Sequence, residues 1–283
     1  MIQEVTPKLA VIIINHHHGD MLKRAVESIM NSSYDKPYQV FVINNLKDDA
    51  TKKWLTQAFP DIELIENDKP KGFASNNNQI IAEHADFDYY LLVNPDATCL
   101  SGMLSQLIVV MEDNPKIGVA GPRLINPDGT VQPSRRRFAS FLVLLVRALH
   151  IDVLFKGLAV VDHYLMNDVE FNDIAEVDWI TGAVMILRKK ALEDAGLFDE
   201  RFFMYFEDED LCCRMWQQGW KVCYLNAAVA YHEHIAEGRK KILSKANFHH
   251  IGSAFKMLLK YQGRIVRCYD KGAVKRVPLS TGK

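Results

Sequence analysis

The chain has 283 residues, 48% hydrophobic and 24% charged, with a formal net charge of -1 at pH 7. That length buries a full core as one large domain or two smaller ones, and the composition is that of an ordinary folded chain. The near-neutral balance provides no global field toward nucleic acid, so nucleic acid is not expected as a partner.

In chain order, the opening stretch MIQEVTPKLAVIIINHHHGD holds an apolar run of only about seven residues and lacks a signal-peptide layout. LAVIIIN, from Leu9 to Asn15, has the length and β-branched content of a buried strand. GDMLKRAVESIM then repeats Leu22, Ala25, Val26 and Ile29 at helical spacing behind Asp20 as a candidate cap. QVFVINN, IELIEN and YYLLVN read as further strands, with ATKKWLTQAF and ASNNNQIIAEHA as the helices between them; SQLIVVMEDN and IGVAGP add another helix and strand. Such alternation, with strands apolar almost throughout, predicts an α/β fold with a Rossmann-like, mostly parallel sheet covered on both faces. Ligands of such sheets sit beyond the carboxyl ends of the strands. Asn15, Asn44–Asn45 and Asn94 to Asp96 stand at three of those ends, which predicts one cleft assembled from three places.

Farther on, NPDGT (Asn126 to Thr130) signals a hairpin. Arg135, Arg136 and Arg137 precede an apolar stretch that reaches Val161. It reads either as a buried helix with a basic start or as a segment lying on a membrane surface. VDWITGAVMILR has strand character, and KKALEDAGLFDE is a short helix ended by Gly196. From about Ala236 the chain becomes a basic amphipathic helix and tail. No segment reaches the roughly 20 apolar residues that span a bilayer. Cys99, Cys212, Cys213, Cys223 and Cys268 form an odd set without CxxC spacing. This suggests a reducing compartment without a disulfide frame or zinc site, and hence a cytoplasmic protein.

Two stretches concentrate groups that could carry chemistry. In FEDEDLCCRMW, a helix places Asp208 on one stripe with Leu211, Cys212 and Met215, so an acid faces inward. Asp210 stands four residues before Arg214, an ordinary ion-pair spacing, while Glu207 and Glu209 are expected only to complement the positive helix start. A carboxylate at a helix start, aimed into a cleft, suits a general base. In LLVNPDA, Asp96 is either a plain turn residue or the single carboxylate that a magnesium or manganese diphosphate site requires. His232, in AYHEH, is a candidate further ligand; the run His16 to His18 lacks metal-site spacing. Neither a GxxxxGK[ST] nor a GxGxxG pattern occurs. KGFASNNNQ is the nearest substitute, either a sugar- or phosphate-contacting helix start or simple capping by Ser75 or Asn76.

Taken together, VIIINHH, VINN, KGFASNNNQI, LLVNPDA, GPRLINPDGTVQPSRRRF, VDWITGAVMILRKKALEDAGLFDERFFMYFEDEDLCCR and GWKVCYLNAAVAYHEH resemble, in order, the family 2 inverting glycosyltransferases of the GT-A fold. The similarity is closest to bacterial rhamnosyltransferases of surface polysaccharide assembly. It implies a GT-A domain over residues 1–235, with a nucleotide-sugar half at about 1–125 and an acceptor half at about 126–235. Residues 236–283 remain as a basic C-terminal helical extension. The resemblance places the catalytic base at Asp208, with Glu207 and Asp210 in support, and the metal at Asp96 and His232. It places donor contacts at Asn15, Asn44, Asn77, Asn78 and Asn94, and acceptor contacts at Thr181, Gly182 and Ala183. Asn44 stands where the family usually has an aspartate facing the nucleotide, and His16-His17 where Tyr-Asn is common. The implied reaction uses a nucleotide-diphospho-sugar, dTDP-rhamnose in preference to a UDP-sugar, with Mg2+ or Mn2+. Its acceptor is a saccharide, in particular one linked to polyprenyl diphosphate, which gives the chain a reason to sit peripherally on the inner face of the membrane. A homo-oligomer is compatible with this reading. Competing expectations are nucleotidyl transfer, which calls for a Gly-rich phosphate loop that NHHHGDMLKR matches poorly, and a non-catalytic nucleotide-sugar-binding partner.

Overall fold

The computed structural model describes residues 9–148, 157–233 and 245–261. Its centre is a nine-stranded sheet. Strands β1 (Leu9–Asn15), β2 (Tyr38–Asn44), β3 (Glu63–Glu66) and β4 (Tyr89–Val93) form the parallel part, in spatial order β3-β2-β1-β4. Helices α1 (Asp20–Met30), α2 (Asp49–Ala58) and α3 (Phe73–Glu83) make the crossovers. The near-continuous apolar runs have a direct reason. Leu9, Val11 and Ile13 join one buried cluster with Leu22, Val26 and Ile29 of α1, while Ala10 and Ile12 join a second with Ile80 of α3. β1 therefore buries both faces, and each of its buried Leu, Val and Ile side chains contributes about 1.5–3 kcal/mol.

Asp20 is the first helical residue of α1 rather than its cap; Gly19 holds the cap position, and the Asp20 carboxylate pairs with Lys23. Beyond β4 come β5 (Ala97–Cys99), α4 (Met103–Asp113) and β6 (Ile117–Ile125). Although IGVAGP reads as a further member of the parallel run, antiparallel β10 (Val184–Arg188) separates β6 from β4. The long strand β11 (Lys221–His232) lies parallel to β6 and carries β5 and β8 (Ile174–Glu176) on its other edge. NPDGT closes as a turn through Asn126 and Thr130, with Ile125 and Val131 bridged antiparallel beside it.

Two sequence readings change here. Arg135 and Arg136 do not begin a helix: they form β7 (Arg135–Arg136), paired antiparallel with β9 (Trp179–Ile180). Their guanidinium groups lie over aromatic rings, Arg135 over Phe171 and Tyr224 and Arg136 over Trp179 and Tyr164, so the basic start is absorbed by cation–π packing. Helix α5 (Phe141–Ala148) starts later, and residues 149–156 of the apolar stretch lie outside the described residues. VDWITGAVMILR is two strands, β9 and β10, interrupted at Thr181 to Ala183. Helices α6 (Ala159–Tyr164), α7 (Lys189–Ala195), α8 (Glu207–Gln217) and α9 (Lys245–Tyr261) complete the described chain, and Gly196 ends α7 at φ +80°. Among the described residues, no helix is long and apolar enough to cross a membrane.

Candidate active site

The carboxyl ends of β1, β2 and β3 are tied together by amides. Asn15 donates from Nδ2 to Asn44 Oδ1 at 3.0 Å, and its own Oδ1 accepts the His18 N–H at 3.0 Å. Asn44 Nδ2 reaches the Asp48 carbonyl. Both amides are fully buried. They hold the loops after β1 and β2 in shape, and in this structure neither presents a polar atom to the cleft. A second set joins Asn45, Asn67 and Asn76, with Asn67 Nδ2 donating to Asn45 Oδ1 and to Asn76 Oδ1. Asn76 also donates to the Lys71 and Gly72 carbonyls, so the helix start at Gly72 is secured from inside α3 rather than by a Ser75 or Asn76 cap. Asn78 exchanges hydrogen bonds with the Phe198 backbone and donates to Glu200, which pins the loop ahead of α8. Asn77 donates to Phe73 O, and its buried Oδ1 has no hydrogen-bond partner.

The NPD turn lies between β4 and β5. Asp96, largely buried, places Oδ1 3.3 Å from Nε2 of His232, the last residue of β11. Nδ1 of that imidazole is 2.8 Å from Gln132 Oε1, and Gln132 Nε2 donates to the His232 carbonyl. Burial pushes the Asp96 carboxyl up, but His232, a backbone N–H and His18 together hold the group below the usual aspartate value. Two adjacent oxygen and nitrogen donors, one oriented by a neighbouring amide, match the protein's share of a magnesium or manganese site completed by water and phosphate oxygens. Among the described residues no set of three His, Cys, Asp or Glu side chains converges as a metal cluster.

The interruption between β9 and β10 links this turn to α8. The Asn94 N–H donates to Ala183 O at 2.8 Å, and the Gly182 N–H donates to Asp208 Oδ2 at 2.9 Å. Thr181 N–H is held by Ser134 O. A Cβ on Gly182 would stand 3.0 Å from the Phe73 ring, so any larger residue here requires that ring to give way. Asn94, Asp96, Thr181 to Ala183 and Asp208 are thereby brought together from three places: the β4–β5 turn, the break between β9 and β10, and the start of α8.

On α8 the acids differ from their sequence expectation. Leu211, Cys212 and Met215 are fully buried, and Asp208 opens their stripe at the helix start, partly exposed toward the cleft. Asp210 pairs with Arg214 as the spacing predicts, at 2.9 Å, yet it is wholly buried and also takes Lys260 Nζ at 2.6 Å and the Tyr261 hydroxyl at 2.8 Å. Glu207 and Glu209 are not solvated complements of the helix start: both are buried, each with an unpartnered Oε2. The cause is the approach to α8, where Tyr205 and Phe206 adopt φ of +70° and +71° and turn the chain sharply into the helix. Burial and the neighbouring Asp208 charge push the Glu207 carboxyl up to about 8. Burial likewise lifts Glu209 to about 8 against the Ala139 N–H that it accepts. The Asp208 carboxyl is raised by burial, opposed by the Gly182 and Glu209 N–H groups. A partly exposed carboxylate, oriented by a backbone donor and raised above its ordinary value, has the attributes of a general base.

Gln132, Lys260 and Tyr261 carry no sequence signal of these contacts, and Glu209 reads in the sequence only as a complement of the helix start. No local pattern marks Gln132, which meets His232 across 100 positions.

The described sheet thus carries a carboxylate–imidazole pair and an oriented acid, linked through the break between β9 and β10. A family model described as "Glycosyltransferase like family 2" matches residues 7–248, and the chain belongs to that family. It is 27% identical over 246 residues to an N-acetylglucosaminyl-diphospho-decaprenol L-rhamnosyltransferase of Mycobacterium tuberculosis, covering 83% of this chain and 79% of the relative. It is 26% identical to the rhamnosyltransferase WbbL of Escherichia coli, covering 92% and 96%. The mannosyltransferase PcManGT of Pyrobaculum calidifontis, solved with GDP-Man and Mn2+, superposes with a TM-score of 0.58 at 15% identity, over 92% of this chain and 70% of that one. The fold is accordingly GT-A, and the protein is a glycosyltransferase.

Proposed function

We propose that this protein is an inverting rhamnosyltransferase, moving L-rhamnose from dTDP-L-rhamnose onto a lipid-diphosphate-linked saccharide in cell-surface polysaccharide synthesis. The names of the two bacterial relatives support the sugar and the acceptor class. The observation that carries the chemistry is Asp208, held by the Gly182 N–H at the mouth of the cleft and partly exposed among buried acids.

Asp208 accepts the proton of an acceptor hydroxyl as that oxygen bonds to the anomeric carbon and the bond to the diphosphate oxygen breaks. Attack on the face opposite the leaving group inverts the centre. One carboxylate suffices, whereas hydrolysis of a glycoside employs two across the bond. Thr181 to Ala183 form the acceptor side, next to the base, and Asn94 and Asn77 lie toward the donor. Asn15, Asn44 and Asn78 serve the donor side indirectly, by holding the loops around it. Asp96 and His232 are the residues that would hold Mg2+ or Mn2+, which when bound stabilises charge on the leaving diphosphate. Gln132 keeps the imidazole turned toward Asp96. The lipid-linked acceptor sets the enzyme peripherally at the cytoplasmic face of a membrane.

Asp208→Asn keeps the size of the side chain and an acceptor oxygen for Gly182 but removes the base. Rhamnosyl transfer is expected to fall about 10²–10⁴-fold, with circular dichroism and donor binding unchanged. Full transfer by the folded variant would remove Asp208 from the role.

A further inference from the structure

Helix α9 is amphipathic in an unusual sense: it has a packed face and, opposite it, an apolar one left exposed by the described residues. The packed face holds fully buried Met257, Ser253 donating to Met204 O, and Lys260 and Tyr261 bonded to Asp210 of α8. On the outer side Phe248, Ile251, Phe255 and Leu259 are 62%, 45%, 61% and 64% exposed. Their spacing of three, four and four residues confines them to a stripe about 80° wide on a 3.6-residue repeat. A surface helix normally turns charge to solvent along such a stripe. Helix α5, which packs against α9, exposes Phe141 and Leu142 as well.

Charge decides what the stripe faces. Residues 236–283 contain twelve Lys and Arg against two acids, Glu237 and Asp270, in a chain whose total is -1. A second copy of the chain carries the same excess of Lys and Arg before and after this helix in its sequence, and like charge opposes pairing through it. Anionic lipid headgroups complement it, while the four side chains have the size and chemistry to enter the headgroup–acyl boundary. We infer that the outer face of α9 is a docking surface for an anionic lipid bilayer. The inference rests on the lipid-linked acceptor reading for its purpose: docking through α9 holds α8, and with it Asp208, beside a membrane-borne saccharide.

Flotation of the full chain with phosphatidylcholine vesicles, with and without phosphatidylglycerol, tests it. Binding is expected only to the anionic vesicles and is expected to weaken with added salt. Phe255→Glu with Leu259→Glu alters exposed side chains only; it should retain its melting temperature and bind the anionic vesicles at least tenfold more weakly, since about two buried apolar side chains are lost. Absence of wild-type binding, or equal binding by the double variant, overturns the surface. So does a wild-type dimer in light scattering that the double variant converts to monomer without any vesicle binding. Vesicle binding through the stripe by a protein that fails to transfer rhamnose would leave this surface standing and remove the donor reading.

Discussion

Glu207 and Glu209 show how far a single residue's role depends on where its side chain goes. Glu209 Oε1 accepts the Ala139 N–H, and Oε2 has no partner. A charge there would be poorly compensated, so the group keeps its proton up to about 8, against an ordinary glutamate value of 4.5. Between those values the folded chain binds a proton that the unfolded chain has released. Stability is therefore full below the unfolded value and is lost as pH rises toward the folded one. Each such group costs up to about 1.4 kcal/mol per pH unit in that window. Urea midpoints are expected to fall from pH 5 to pH 8, and Glu209→Gln should flatten part of that slope. An unchanged slope would mean that Glu209 is ionised in the folded chain. Asp208 could be read from its stripe with Leu211, Cys212 and Met215, because that periodicity is local. The burial of its neighbours could not, since the left-handed pair Tyr205–Phe206 is held by His250 of α9, far along the chain.

At the scale of elements, α8 both carries Asp208 and anchors α9. Asp210 is the joint, accepting from Arg214, Lys260 and Tyr261 in a site closed to water. Removing one member of a buried ionic set leaves the others uncompensated. Asp210→Asn is expected to lower stability by about 3 kcal/mol in urea unfolding, and α9 amides should lose protection from hydrogen exchange. Stability within about 0.5 kcal/mol of wild type would show that Lys260 and Asp199, 2.7 Å apart, hold the joint without it. The helices and strands themselves were mostly legible, because periodicity and β-branched runs report one element at a time. The two-residue strand β7 was not: Arg135 and Arg136 carry no strand pattern, and only pairing with β9 and aromatic stacking define it.

For the whole molecule, the cleft should report its ligand as stability. A nucleotide-sugar that binds only the folded state stabilises it by about 2.7 kcal/mol at a hundredfold excess over Kd. With Mn2+ present, dTDP-L-rhamnose is expected to raise Tm by several degrees and a UDP-sugar by less. Asp96→Asn should lose the part that depends on metal, and EDTA should abolish the same part in wild type. A larger shift with the UDP-sugar would overturn the donor assignment, and a shift indifferent to EDTA would overturn the metal role of Asp96 and His232.

Local order along the chain was enough to establish the alternation of strands and helices, the two-faced burial of the sheet, the polar strand ends and the ordered motifs that mark the family. Each of these is written within a few residues, where side-chain periodicity and turn chemistry act. Which asparagines hold loops and which face the cleft, the Gln132–His232–Asp96 chain, the Gly182 donor on Asp208 and the exposed face of α9 were decided only by tertiary packing. These depend on contacts between residues distant in sequence, and a polar side chain's role is set by the partners that burial leaves it.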